Sequence, residues 1–111
     1  MESNRERDHR DILAAIRARG EAGVLIALYE PDGFDDPAQA TQVRREIARM
    51  QDEVLAALDT NDFRPGQRFA SVPAIAGTVR SERGLRALSA HPLIRRVSLD
   101  TGGTGSGPRG E

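Results

Sequence analysis

The sequence contains no cysteine, which excludes disulfides, zinc–thiolate sites and thiol nucleophiles. It contains no lysine either: all 16 basic residues are arginine, which reads as a codon-composition bias. Charge of neither sign dominates. The 16 basic and 17 acidic residues leave a net charge of −1. That balance lacks the basic excess with which proteins hold nucleic-acid phosphates. No apolar run approaches the length of a membrane span. The first seven residues, Met1 to Arg7, are too polar for a signal peptide. The chain as written therefore reads as cytoplasmic, or as secreted if a signal was removed. Aromatic residues make up only 4%. Of these, only Tyr29 and Phe69 fall on expected strands, too few for a base-stacking platform.

Motifs for chemistry are absent as well. The two histidines, His9 and His91, lie far apart in sequence. There is no His-Glu metal motif, no glycine-rich phosphate loop after a strand and no G-x-S-x-G elbow. No spacing of Ser, His and Asp assembles a triad. No catalytic residues, metal ligands or cofactor are expected, and the expectation is of a protein that is not itself an enzyme.

What is present is a pattern of short elements in a chain of 111 residues, suited to one domain. Ile12, Leu13 and Ile16 share a helical face between Asp8 and Arg19, and Gly20 and Gly23 close that segment. Val24 to Tyr29 reads as a strand, and Pro31-Asp32-Gly33 as the turn after it. From Pro37 to Leu58 the positions Ala40, Val43, Ile47, Met50, Val54 and Leu58 form one apolar stripe. Arg45, Arg49, Asp52 and Glu53 fall opposite, with Arg49 and Glu53 spaced to pair. Asn61 to Gly66 reads as a loop, and Gln67–Val72 and Ala74–Val79 as strands about a turn at Pro73. Ser81 is the expected N-cap of a short helix carrying Leu85 and Leu88. His91-Pro92 ends that helix, and Leu93 to Leu99 is the last strand. Five glycines between Thr101 and Glu111 predict a flexible tail.

The order after the leading helix is β-α-β-β-α-β. It predicts an α+β, ferredoxin-like split βαβ sandwich. A four-stranded antiparallel sheet would carry two helices on one face, with an N-terminal helix added. The organisation reads as an extension over 1–20, a folded domain over 21–100 and a tail over 101–111. In the first strand Val24, Ile26 and Leu28 point one way, and Leu25, Ala27 and Tyr29 the other. Both sets are apolar, so the second face is expected to be covered by the leading helix or by a partner.

Three stretches carry a family resemblance. They are Phe69-Ala-Ser-Val72-Pro73-Ala-Ile75-Ala76-Gly77-Thr-Val79, then Gly84-Leu85-Arg-Ala-Leu88, then His91-Pro92-Leu93-Ile94-Arg-Arg-Val97-Ser98-Leu99-Asp100. Their order and spacing resemble the propeptides of subtilisin-like serine proteases, a group that includes stand-alone inhibitors. The family rhythm is a strand pair, a short helix with a Leu-x-x-Leu core, a proline, and a strand ending Val-x-x-Asp. The resemblance covers about residues 23–106.

It implies a temporary inhibitor and folding template of a protease, acting in cis or in trans. The open sheet face, with Leu25, Ala27 and Tyr29, would pack on two surface helices of the enzyme. Ser98 and Asp100 would cap helix N-termini there, Ser98 standing where the family often carries an acid. Thr101, Gly102, Gly103, Thr104, Gly105 and Ser106 would lie in the active-site cleft, with the residue before the cut near Ser106. His91, before the helix-stopping Pro92, is the histidine placed for a pH-dependent contact. The alternative from another class is a stand-alone ferredoxin-like interaction or regulatory domain, a homodimer joined through its sheet faces. An acylphosphatase-type enzyme of the same topology would need an Arg and an Asn in a phosphate-cradling loop, which the sequence lacks. Neither nucleic acid nor membrane is expected as a partner.

Overall fold

A computed structural model describes residues 4–100. The described chain forms three α-helices and four strands. In order these are α1 (Asn4–Arg19), β1 (Ala22–Leu28), a 3-10 turn (Pro37–Gln39), α2 (Ala40–Ala56), β2 (Phe63–Arg68), β3 (Ala74–Val79), α3 (Glu82–Ala90) and β4 (Ile94–Leu99). The strands make one sheet in the order β2-β3-β1-β4, and every neighbouring pair is antiparallel. The protein is thus α+β with a four-stranded antiparallel sheet, compatible with a ferredoxin-like arrangement.

Alternation along β1 decides which face is filled. Ala22, Val24, Ile26 and Leu28 are buried, whereas Gly23 and Leu25 are exposed and Ala27 is half-buried. Met50 and Val54 of α2 and Leu85 and Leu88 of α3 meet the buried set in one core cluster, with Phe63, Ile75 and Val79. The stripe expected on α2 is largely borne out: Val43, Ile47, Met50 and Val54 are buried. Ala40 is exposed and Leu58, past the end of the helix, is half-buried. Arg49 pairs with Glu53 at 2.9 Å and with Glu46 on the solvent side.

Two boundaries differ from the sequence reading. The N-terminal helix begins at Asn4 rather than Asp8, and it is no loose extension. Ile12 and Ile16 are buried in the same cluster as Val24 and Ile26, and Arg96 Nε donates to Asp8 Oδ2 at 2.7 Å. The leading helix therefore joins the core side of the sheet and does not cover its second face.

The second difference is β2, which occupies Phe63–Arg68 instead of Gln67–Val72. Pro65 and Gly66 suggest a loop, but β2 is an edge strand, where a missing N–H leaves no ladder bond unmade. The register also shifts between Pro65 and Arg68, which absorbs the irregularity. Residues 69–73 are then the β2–β3 connection. The expected flexible tail, Thr101 to Glu111, lies outside the described residues.

Local polar chemistry fixes the connections. Asp36 caps the 3-10 turn, its carboxylate accepting from Ala38 N–H at 3.0 Å. Ser81 caps α3 as expected, its Oγ accepting from Gly84 N–H at 3.0 Å. The same hydroxyl donates to Asp62 Oδ1 at 2.8 Å, and Arg83 Nε donates to Asp62 Oδ2 at 2.8 Å. These bonds, Arg83's first, hold the Asp62 carboxyl below the usual carboxylate range.

Candidate functional site

The registers show what shares a face with Leu25. Ala76 on β3 and Ser98 on β4 stand directly opposite it. Thr78 stands opposite Gly23, and Arg96 opposite Ala27. Since side chains alternate along a strand, Ser98 falls on the same side as Leu25, and Asp100, two residues on, follows Ser98. The outcome is a surface with a small, apolar centre of Gly23, Leu25, Ala27 and Ala76 and polar neighbours in Thr78 and Ser98.

Leu25, Tyr29 and Val72 are the exposed large hydrophobic residues among the described ones, at 38%, 49% and 51%. The helices contribute their buried residues to the core on the other side, so Leu25 stays open to solvent, whereas Tyr29 follows β1 and lines a cleft with Val43, Glu46 and Met50 of α2. The sequence reading placed Leu25, Ala27, Tyr29, Ser98 and Asp100 on one surface, and the register brings the β1 and β4 members together. Asp100 ends the described chain beside β1, its N–H donating to Gly23 O at 2.9 Å. Thr101, Gly102, Gly103, Thr104, Gly105 and Ser106 lie outside the described residues.

Val72 was not singled out by that reading, because it was expected within a strand. It belongs to the β2–β3 connection, and Leu28 N–H donates to Pro73 O at 2.8 Å, next to Tyr29. Val72 is thus an exposed residue of a loop that is bonded to the end of β1 away from Asp100. Behind the connection stands Gln51 of α2, 3% exposed. Its Nε2 donates to Phe69 O and to Ala74 O, both at 2.9 Å. Its Oε1 accepts from Arg68 Nε at 3.2 Å, and Arg68 also pairs with Asp52 at 2.7 Å. One buried amide therefore ties both ends of the loop to the helix, with each of its polar atoms satisfied.

His91 plays a bracing part. Its Nδ1 accepts from Leu93 N–H at 3.1 Å, a bond that only an unprotonated Nδ1 can make. Leu93 O in turn accepts from Tyr29 N–H at 3.1 Å. Among the described residues no group of three or more His, Asp or Glu side chains is disposed to hold a metal ion. Nor is any described helix long and apolar enough to cross a membrane.

No family model matches this chain, and no curated protein or solved structure matches it.

Proposed function

We propose that this domain is a propeptide-type inhibitor and intramolecular folding template of a subtilisin-like serine protease, and not itself an enzyme. Its fold on this reading is the ferredoxin-like split β-α-β-β-α-β sandwich. The strand order supports that assignment. The α2 crossover joins β1 to β2 with β3 between them, and the α3 crossover joins β3 to β4 with β1 between them.

One observation carries the functional reading. The helices leave a whole sheet face uncovered, and the chain departs from β4 at one end of that face. Small residues at Gly23, Ala27 and Ala76 let the backbone of a partner come close, as packing on surface helices requires. Ser98 and Asp100 bring a hydroxyl and a carboxylate to the same side, chemistry suited to helix N-termini. The segment following Asp100 is rich in glycine and small residues. Such a peptide can add to an enzyme's substrate edge through backbone hydrogen bonds. Alone it would bind poorly, since ordering so many glycines is costly. The sheet face supplies the apolar contact that the tail lacks.

Joining two copies through the same face is the other reading, and solution mass separates the two. Light scattering of the full chain, alone and with a catalytically inactivated subtilisin, should give a monomer and then a one-to-one complex. A stable homodimer that the protease leaves unchanged would overturn the inhibitor reading.

A further inference from the structure

Between Glu30 and Asp36 the chain carries four acids and no base. Backbone bonds fix the turns of this segment. Phe34 N–H donates to Pro31 O at 3.2 Å, and Asp36 N–H to Gly33 O at 2.9 Å. Gly33, at φ 78°, takes the left-handed conformation that glycine accepts without strain. Asp36 is used as the cap of the 3-10 turn. Glu30 and Asp32 are exposed and enter no ion pair among the described residues.

Acids on a loop are ordinarily a solvated surface. These two border a cleft of about 520 Å³, whose other lining includes Tyr29, Leu93, and Val43 and Met50 of α2. That volume lies within the range of about 300–1,000 Å³ usual for ligand sites. Val43 and Met50 are core residues and make an apolar floor. Leu93 is held by its N–H to His91 Nδ1, and its carbonyl accepts from Tyr29 N–H, both at 3.1 Å. Arg49 also lines the cleft, but it pairs with Glu46 and Glu53 and leaves Glu30 and Asp32 uncompensated.

We propose that this cleft binds an arginine side chain presented by a peptide segment of a partner protein. Arginine joins an apolar stem to a planar cation. The stem matches Val43, Met50 and Leu93. The guanidinium matches the carboxylates of Glu30 and Asp32 and the ring of Tyr29. A wholly apolar ligand would leave the two carboxylates without a partner, at a cost in desolvation. A metal ion is not served, since no described group of three or more acids or histidines is disposed to hold one. The turns are fixed before binding, so little ordering cost falls on this side of the complex. The inference does not depend on the inhibitor reading.

The test follows the amide spectrum of the isotope-labelled full chain during titration with a terminally blocked Ala-Leu-Arg-Leu-Ala peptide. A second titration uses the same peptide with citrulline for arginine, which keeps the shape and loses the charge. The arginine peptide should give saturable shifts centred on Tyr29, Glu30, Asp32, Met50 and Leu93. The citrulline peptide should bind about fivefold or more weakly, as the loss of two partly exposed ion pairs implies. Glu30→Gln combined with Asp32→Asn alters exposed positions, so it should leave the melting temperature unchanged and abolish the preference for arginine. Absence of saturable shifts would overturn the site. So would shifts spread evenly over Asp52, Glu53 and the other exposed acids. Equal binding of the two peptides by the unaltered chain would overturn arginine recognition without need of any variant. A preference kept by the double variant would remove Glu30 and Asp32 from the site and overturn the proposal. Protease inhibition plays no part in the readout, so failure here leaves the inhibitor reading standing.

Discussion

Replacing Ile12 by Ala asks whether the N-terminal helix belongs to the fold. Ile12 is fully buried in the core cluster that contains Leu85 and Ile94. The change removes three carbons, worth about 0.8 kcal/mol each in transfer, or roughly 2.4 kcal/mol. The cavity left behind adds to that figure, and measured costs for such changes run about 2–5 kcal/mol. A domain of this size has about 5–15 kcal/mol in total, so the loss is a substantial share of it. For a loss of about 3 kcal/mol the melting temperature should fall by roughly 12–24 °C. Urea denaturation followed by far-ultraviolet circular dichroism measures it, with an unchanged slope and a lower midpoint expected. A helix that merely trails from the domain would lose less than about 0.5 kcal/mol, as exposed positions do. A loss that small would refute the packing of α1 against the sheet.

Other outcomes follow from the same structure. Gly84→Ala should destabilise by about 1–3 kcal/mol, against the usual helix preference for alanine, because the new Cβ would lie 2.7 Å from Asp62 O. Asp62 has a lowered carboxyl pKa in the fold, so its stabilisation is complete above the ordinary carboxylate range and is lost as pH falls through the lowered value. Asp62→Asn should therefore flatten the acid limb of a stability–pH curve. Tyr29→Glu should leave circular dichroism unchanged and weaken protease binding, and equal affinity would remove Tyr29 from the docking surface. Deleting residues 101–111 should sharply reduce inhibition while leaving the melting temperature nearly unchanged.

Long, regular elements were the most readable from the sequence. Val43, Ile47, Met50 and Val54 mark α2 through spacing alone, and Ser81 with the following Leu85 and Leu88 marks α3. Alternation in β1 separated Val24, Ile26 and Leu28 from Leu25 and Ala27, and with them the core from the open face, whereas Tyr29 lies past the end of the strand. Phe63–Arg68 was not legible as a strand, because Pro65 and Gly66 carry loop chemistry and only the edge position makes them acceptable. That displacement also hid Val72, whose exposure depends on where β2 stops. Gln51 gave no signal at all: a glutamine beside Met50 looks like any polar helix residue until Phe69 and Ala74 are brought to it. The role of α1 was half visible. Ile12 and Ile16 showed a buried stripe, but which face it met depended on contacts with Val24, Ile26 and Leu85, which are distant in sequence or belong to other elements.

The central claim is tested most directly by progress curves of a panel of subtilisin-type proteases with the full chain added. The panel should include any such enzyme encoded in the same reading frame. The account predicts competitive inhibition of at least one member, relieved slowly as the chain is cleaved beyond Asp100. No inhibition of any member, at chain concentrations well above the enzyme's, would contradict it.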